Sequence, residues 1–98
     1  MAIEFYKLSD HKRVKVLFQY EVQQLELLEY VWEQLAQKTG VQIDFYSTTR
    51  LYFDHVVLLI EILELVTFPK QLNHTKKVFL EQLRGVISSK EGLLLEGG

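Results

Sequence analysis

Between Glu21 and Lys38 the apolar residues Val22, Leu25, Leu28, Trp32 and Leu35 recur at three- and four-residue intervals, the spacing of one helix face. Thr39-Gly40 closes the segment, because glycine takes the left-handed conformation that ends a helix and Lys38 suits the negative end of its dipole. A helix is predicted over 21–38, with Trp32 buried. A second is predicted over 50–67, where Arg50, Asp54, Glu61 and Glu64 fall on one arc and nearly every other position is apolar. Ser47-Thr48-Thr49 offers hydroxyls to cap it, and Phe68-Pro69 interrupts it, because proline disfavours helical geometry in the residue before it. A third helix is predicted over 73–88, with Phe79, Leu83, Val86 and Ile87 inward.

The segment before Glu21 supports two readings. Val14, Val16, Phe18, Tyr20 and Val22 alternate as in a strand, yet Leu17 and Phe18 also continue the helical stripe. In the favoured reading Ser9 or Asp10 caps a helix that runs unbroken to Lys38, although Lys12, Arg13 and Lys15 then crowd the positive end of its dipole. In the other, residues 2–7 pair with 13–20 in a hairpin across Leu8-Ser9-Asp10-His11. A lone two-stranded hairpin is marginal in water, which favours the long helix while leaving the hairpin open. Val41 to Tyr46 alternates over too short a span for a strand and reads as a shaped linker. Residues 1–9 and 89–98 are expected to be extended or frayed. The fold expected is therefore mainly α, a small antiparallel three-helix bundle in one domain over 1–98, with an α+β fold carrying a short N-terminal β-hairpin as the runner-up.

Composition narrows the function classes. Hydrophobic residues make up 48% and charged residues 24% of the 98, a globular rather than a disordered balance. Eleven basic against thirteen acidic side chains give a net charge of −2 with no dense basic run, which disfavours nucleic-acid binding. With no cysteine there is no disulfide, thiolate metal site or cysteine nucleophile. The first residues lack a secretory pattern, and Leu51 to Phe68 is too interrupted by charge to span a membrane, so a cytoplasmic location is expected.

Candidate chemistry is sparse. His11, His55 and His74 lie on separate elements without the i+3 or i+4 partners of a helical metal site, and nothing points to a cofactor. His55 projects onto the apolar arc near Leu51, Leu59 and Ile62, which suits either a core histidine satisfied by a carbonyl or by Asp54, or a functional one. Asp54, Glu61 and Glu64 share a face and are read as a solvated stripe rather than an acid-base pair. Lys70, His74, Lys77 and Arg84 form a basic face on the third helix, also read as solvated. No phosphate loop or nucleophile elbow is present. The terminal Gly97-Gly98 resembles the tail of ubiquitin-like carriers, but the helical middle of the chain argues against their β-grasp fold.

The strongest candidate surface runs from Asp44 to Arg50, where Asp44, Tyr46, Thr49 and Arg50 place a carboxylate, a phenol, a hydroxyl and a guanidinium on the connection between two predicted helices. The competing reading has Asp44 capping the helix or pairing with Arg50 while Tyr46 covers the core. Arg50 and His55 also match the Arg-x4-His spacing of the RNases with the HEPN fold; that resemblance implies a metal-independent nuclease using these two residues. The stretch Lys38 to Leu51, with Thr39-Gly40, Ile43-Asp44-Phe45-Tyr46 and Thr49-Arg50-Leu51, resembles small bacterial immunity-like proteins over about residues 25–65. That resemblance implies a non-catalytic protein-binding module, an immunity or antitoxin-like inhibitor that occludes a partner. A self-associating structural or regulatory protein, burying its aromatic-rich helices against another copy as a homodimer, is the alternative.

Overall fold

The computed structural model describes residues 1–97. Four antiparallel strands, β1 (Ala2–Lys7), β2 (Phe18–Glu21), β3 (Thr48–Leu51) and β4 (Leu93–Glu96), form one sheet in the order β2-β1-β4-β3. Helices α1 (Val22–Glu26), α2 (Glu29–Thr39), α3 (Phe53–Leu65) and α4 (Asn73–Ser88) cover one face. The molecule is therefore α+β, and the three-helix bundle is overturned by the sheet.

The favoured long helix from Ser9 or Asp10 fails at its start. Phe18–Glu21 pairs with β1, with Ile3 opposite Tyr20 and Phe5 opposite Phe18. The hairpin that was the runner-up exists, but its loop is longer than the four residues expected and runs from Leu8 to Leu17. Asp10 shapes this loop by accepting the N–H groups of Val14 and Lys15. The hairpin is not alone: β4 pairs along its other side, joining Phe5 to Leu95 and Tyr6 to Leu94. The supposedly frayed tail is thus a central strand. Leu93 and Leu95 face the helices, Leu94 faces the other way, and all three are buried.

Alternation sorts the sheet faces. Ile3, Phe5, Tyr20, Thr49, Leu51, Leu93 and Leu95 point to the helices, where Phe5, Phe18, Tyr20 and Phe79 pack edge-on or stacked. Trp32 is buried as expected, and its indole N–H donates to the Leu25 carbonyl at 2.7 Å. That bond explains why the first predicted helix is two. In an unbroken helix the Leu25 carbonyl would accept from Glu29; here the indole and the Leu28 N–H occupy it, and a side chain inserted into the ladder breaks it. Gly40 closes α2 in the left-handed region, as its sequence position suggested.

The second predicted helix loses its first turn to β3: Thr48 and Thr49 are strand residues, not caps, and α3 starts at Phe53. Before Pro69 it has already ended at Leu65, with Val66 extended. The third helix has the predicted span, Asn73–Ser88. Among the described residues no helix is long and apolar enough to cross a membrane.

Candidate protein-binding edge

β3 is an edge strand. On one side it pairs with β4, placing Thr48 opposite Glu96 and Arg50 opposite Leu94. The Gly97 N–H donates to the Ser47 carbonyl at 3.0 Å, which sets the phase of the ladder. Ser47, Thr49 and Leu51 exchange hydrogen bonds with the strand beside them, whereas the N–H and C=O groups of Thr48 and Arg50 point away from the sheet. Among the described residues no hydrogen bond takes up the outward N–H of Thr48 or Arg50, and no strand covers that side.

The side chains around this edge divide between the two faces. Thr49 is buried toward the helices, where its hydroxyl accepts the Asp44 N–H at 3.1 Å and holds the preceding loop against the strand. Thr48 and Arg50 lie on the open face with Glu96, which accepts from the Thr48 hydroxyl and the Arg13 guanidinium, each at 2.7 Å. The Thr48 hydrogen bond, followed by Arg13, holds the Glu96 carboxyl below its ordinary range; Arg50 adds a smaller effect. On the same face Tyr6 donates to Glu4 at 3.1 Å, and burial followed by that hydrogen bond raises its phenol.

Aromatic side chains flank both ends of the edge. Tyr46 is 71% exposed before β3; Tyr52 is 58% and Phe53 38% exposed after it. Tyr46 is held outward by Asp44, whose carboxylate accepts the Tyr46 N–H and the Ser47 hydroxyl at 2.8 Å each and is kept below the ordinary range chiefly by the Tyr46 bond. Asp44 therefore closes a turn. It neither caps a helix nor pairs with Arg50, and Tyr46 does not cover the core.

The candidate residues are only partly united. Asp44, Tyr46 and Thr49 form one turn joined to the strand, while Arg50 projects from the open face near Glu96. His55 is half-buried in the first turn of α3 rather than in the core; its Nδ1 accepts the Tyr52 N–H at 3.2 Å, a backbone bond that secures the helix start. No hydrogen bond links His55 to Arg50, whose strand position also removes the helical context assumed for their spacing. Sequence reasoning missed Thr48, Tyr52, Arg13 and Glu96. Tyr46, Thr48, Arg50 and Tyr52 recur at every second position, a strand period hidden by reading Thr48 and Thr49 as caps.

Other surfaces offer less chemistry. Asp54, Glu61 and Glu64 are exposed, with Glu64 3.4 Å from Arg84, and Lys70, His74, Lys77 and Arg84 are also exposed. A groove of about 600 Å³ between α2 and the end of α3 is lined by Leu27, Tyr30, Lys38, Ile62, Leu65 and Phe68. Among the described residues no three histidine or carboxylate side chains gather as a metal site would require. Gly97 is packed on the Phe45 carbonyl and Ile3, while Gly98, the other half of the carrier-like tail, lies outside the described residues. No protein-family model, curated protein or solved structure matches this chain.

Proposed function

We propose that this chain is a non-catalytic protein-binding module that accepts a strand along β3, with Tyr46 and Arg50 as its side-chain anchors. The observation that carries the reading is the pair of outward, unpaired backbone positions at Thr48 and Arg50. Open edges are usually blunted because they invite pairing, and strand addition turns that property into recognition, with backbone bonds giving affinity and alternate side chains giving specificity. Tyrosine and arginine are enriched among the residues that dominate interfaces. The resemblance to immunity-like proteins supports a toxin as the foreign partner, inhibited by occlusion.

The test begins with recovery of a partner on the tagged chain from its native host, followed by calorimetric titration of the purified pair. Tyr46→Ala and Arg50→Ala should each weaken binding by about 2 kcal/mol or more while leaving thermal stability nearly unchanged. Arg50→Pro, which removes an outward N–H and no ladder bond, should do the same. Unchanged affinity in all three variants would refute β3 as the contact, and the groove between α2 and α3 would become the next surface to vary.

A further inference from the structure

We propose that, when no foreign strand is bound, a second copy of this chain closes the β3 edge, pairing antiparallel about a two-fold axis at Thr49. This rests on the reading of β3 as a strand-accepting edge. The self-complementarity is geometric. With Thr49 opposite Thr49 of the second copy, the N–H and C=O groups of Thr48 meet those of Arg50 on the other chain, and the symmetry repeats the exchange. The ladder ends at Tyr46 and Tyr52, because Tyr46 lies in the Asp44 turn with its N–H bonded to the Asp44 carboxylate and the Tyr52 N–H is taken by His55.

Other registers are poorer: centring the pair on Thr48 would oppose Arg50 to Tyr46, whose N–H is already bonded to the Asp44 carboxylate. Centring the pair on Arg50 would bring the two guanidiniums together and oppose Thr48 to Tyr52, whose N–H is already bonded to His55. With Thr49 at the centre, each Arg50 faces a threonine and stays near the Glu96 of its own chain. The residual repulsion between the two arginines is diagonal and partly compensated by Glu96, itself paired with Arg13. The groove between α2 and α3 supplies no comparable register, and nothing in the structure shows what covers it. The product is a continuous eight-stranded sheet from two four-stranded ones. Its contact is narrow, so dimerisation is expected only at high micromolar concentration.

The absence of cysteine makes cross-linking a clean test. Two single variants, Thr48→Cys and Arg50→Cys, are mixed at about 200 μM under mild oxidation; in this register their thiols meet across the pair, whereas like positions lie diagonally, about 8 Å apart and beyond the reach of a disulfide. The mixture should give a 48–50 cross-linked dimer, and either variant alone should not. By sedimentation, wild-type chain should show a concentration-dependent species of twice 11.6 kDa, weakened at least about tenfold by Arg50→Pro. If that variant fails to fold, the cysteine mixture still decides. A monomer at 200 μM, or a dimer with no mixed cross-link, overturns the proposal. A peptide spanning residues 46–52 separates this outcome from failure of the edge itself. If it shifts the Thr48 and Arg50 amide signals of a monomeric chain, strand addition stands and self-pairing falls; if it leaves them unmoved, strand addition fails with it.

Discussion

Replacing Leu95 by alanine is expected to destabilise the domain by about 3–4 kcal/mol, toward the upper part of the range for buried leucines. Leu95 is 1% exposed on the helix-facing side of β4, with Phe5 opposite it on one side and Thr49 on the other. Both neighbours belong to hydrogen-bonded strands, so the backbone around the vacated volume has little freedom to collapse, and the cavity contribution adds to the lost transfer energy. For a small domain with an urea dependence of about 1.5 kcal/mol per molar, the midpoint should fall by about 2 M. Leu65→Ala is the matched control: Leu65 is 84% exposed at the end of α3, and its truncation should change stability by less than about 0.5 kcal/mol. Urea titrations followed by Trp32 fluorescence measure both. If the Leu95 variant shifted no more than the Leu65 variant, residues 93–96 would not be the strand that joins the two halves of the sheet.

Trp32→Ala should cost about 3–5 kcal/mol by thermal or urea unfolding, and Trp32→Phe less, since it keeps an aromatic ring but loses the indole bond to Leu25; a cost below about 1 kcal/mol for alanine would place the ring outside the core. Gly97→Ala should lower stability by about 1–3 kcal/mol in calorimetry, because its new methyl would meet the Phe45 carbonyl and Ile3, and an unchanged melting temperature would contradict that packing. The Glu96 carboxyl titrates lower folded than unfolded, so its contribution is fully present above the ordinary value near 4.5 and is lost as pH falls through the depressed folded value. Glu96→Gln should therefore be less stable than wild type at pH 7, and the two should converge in acid; a gap that persisted at the lowest pH permitting folding would assign the effect to packing.

The helices were legible where a single periodicity governed a segment, as in α4, whose charged residues interrupt its apolar stripe at the intervals a helix demands. They were misjudged where tertiary contact intervened. Nothing in Glu26-Leu27-Leu28-Glu29 announces a break, because the cause is an indole several residues away. β4 was hidden for a different reason: Leu94 is buried even on the face away from the helices, so Leu93-Leu94-Leu95 has no alternation, and a short apolar run near glycines reads equally well as a loose tail. The N-terminal hairpin is too weak to stand alone, and the third strand that supports it has no signal in the sequence. Around the candidate edge, Asp44, Tyr46 and Arg50 were visible as a concentration of polar chemistry. Their division between a turn and the open face followed from β3, which the threonine run concealed.

The pairing of Glu4 with Glu96 also dictates a timetable for synthesis. Contacts that join positions about 90 residues apart are the last to become available to a growing chain. At ribosomal rates of about 5–20 residues per second, the first strand emerges roughly 5–20 s before the strand that will lie beside it has been made. During that interval α2 and α3 can form and meet, but Ile3, Phe5 and Phe18 have half a sheet to lie on. The nascent N-terminal hairpin is then the segment most exposed to chaperones or to another growing chain, and a slow-translating stretch placed between α4 and β4 would prolong that exposure.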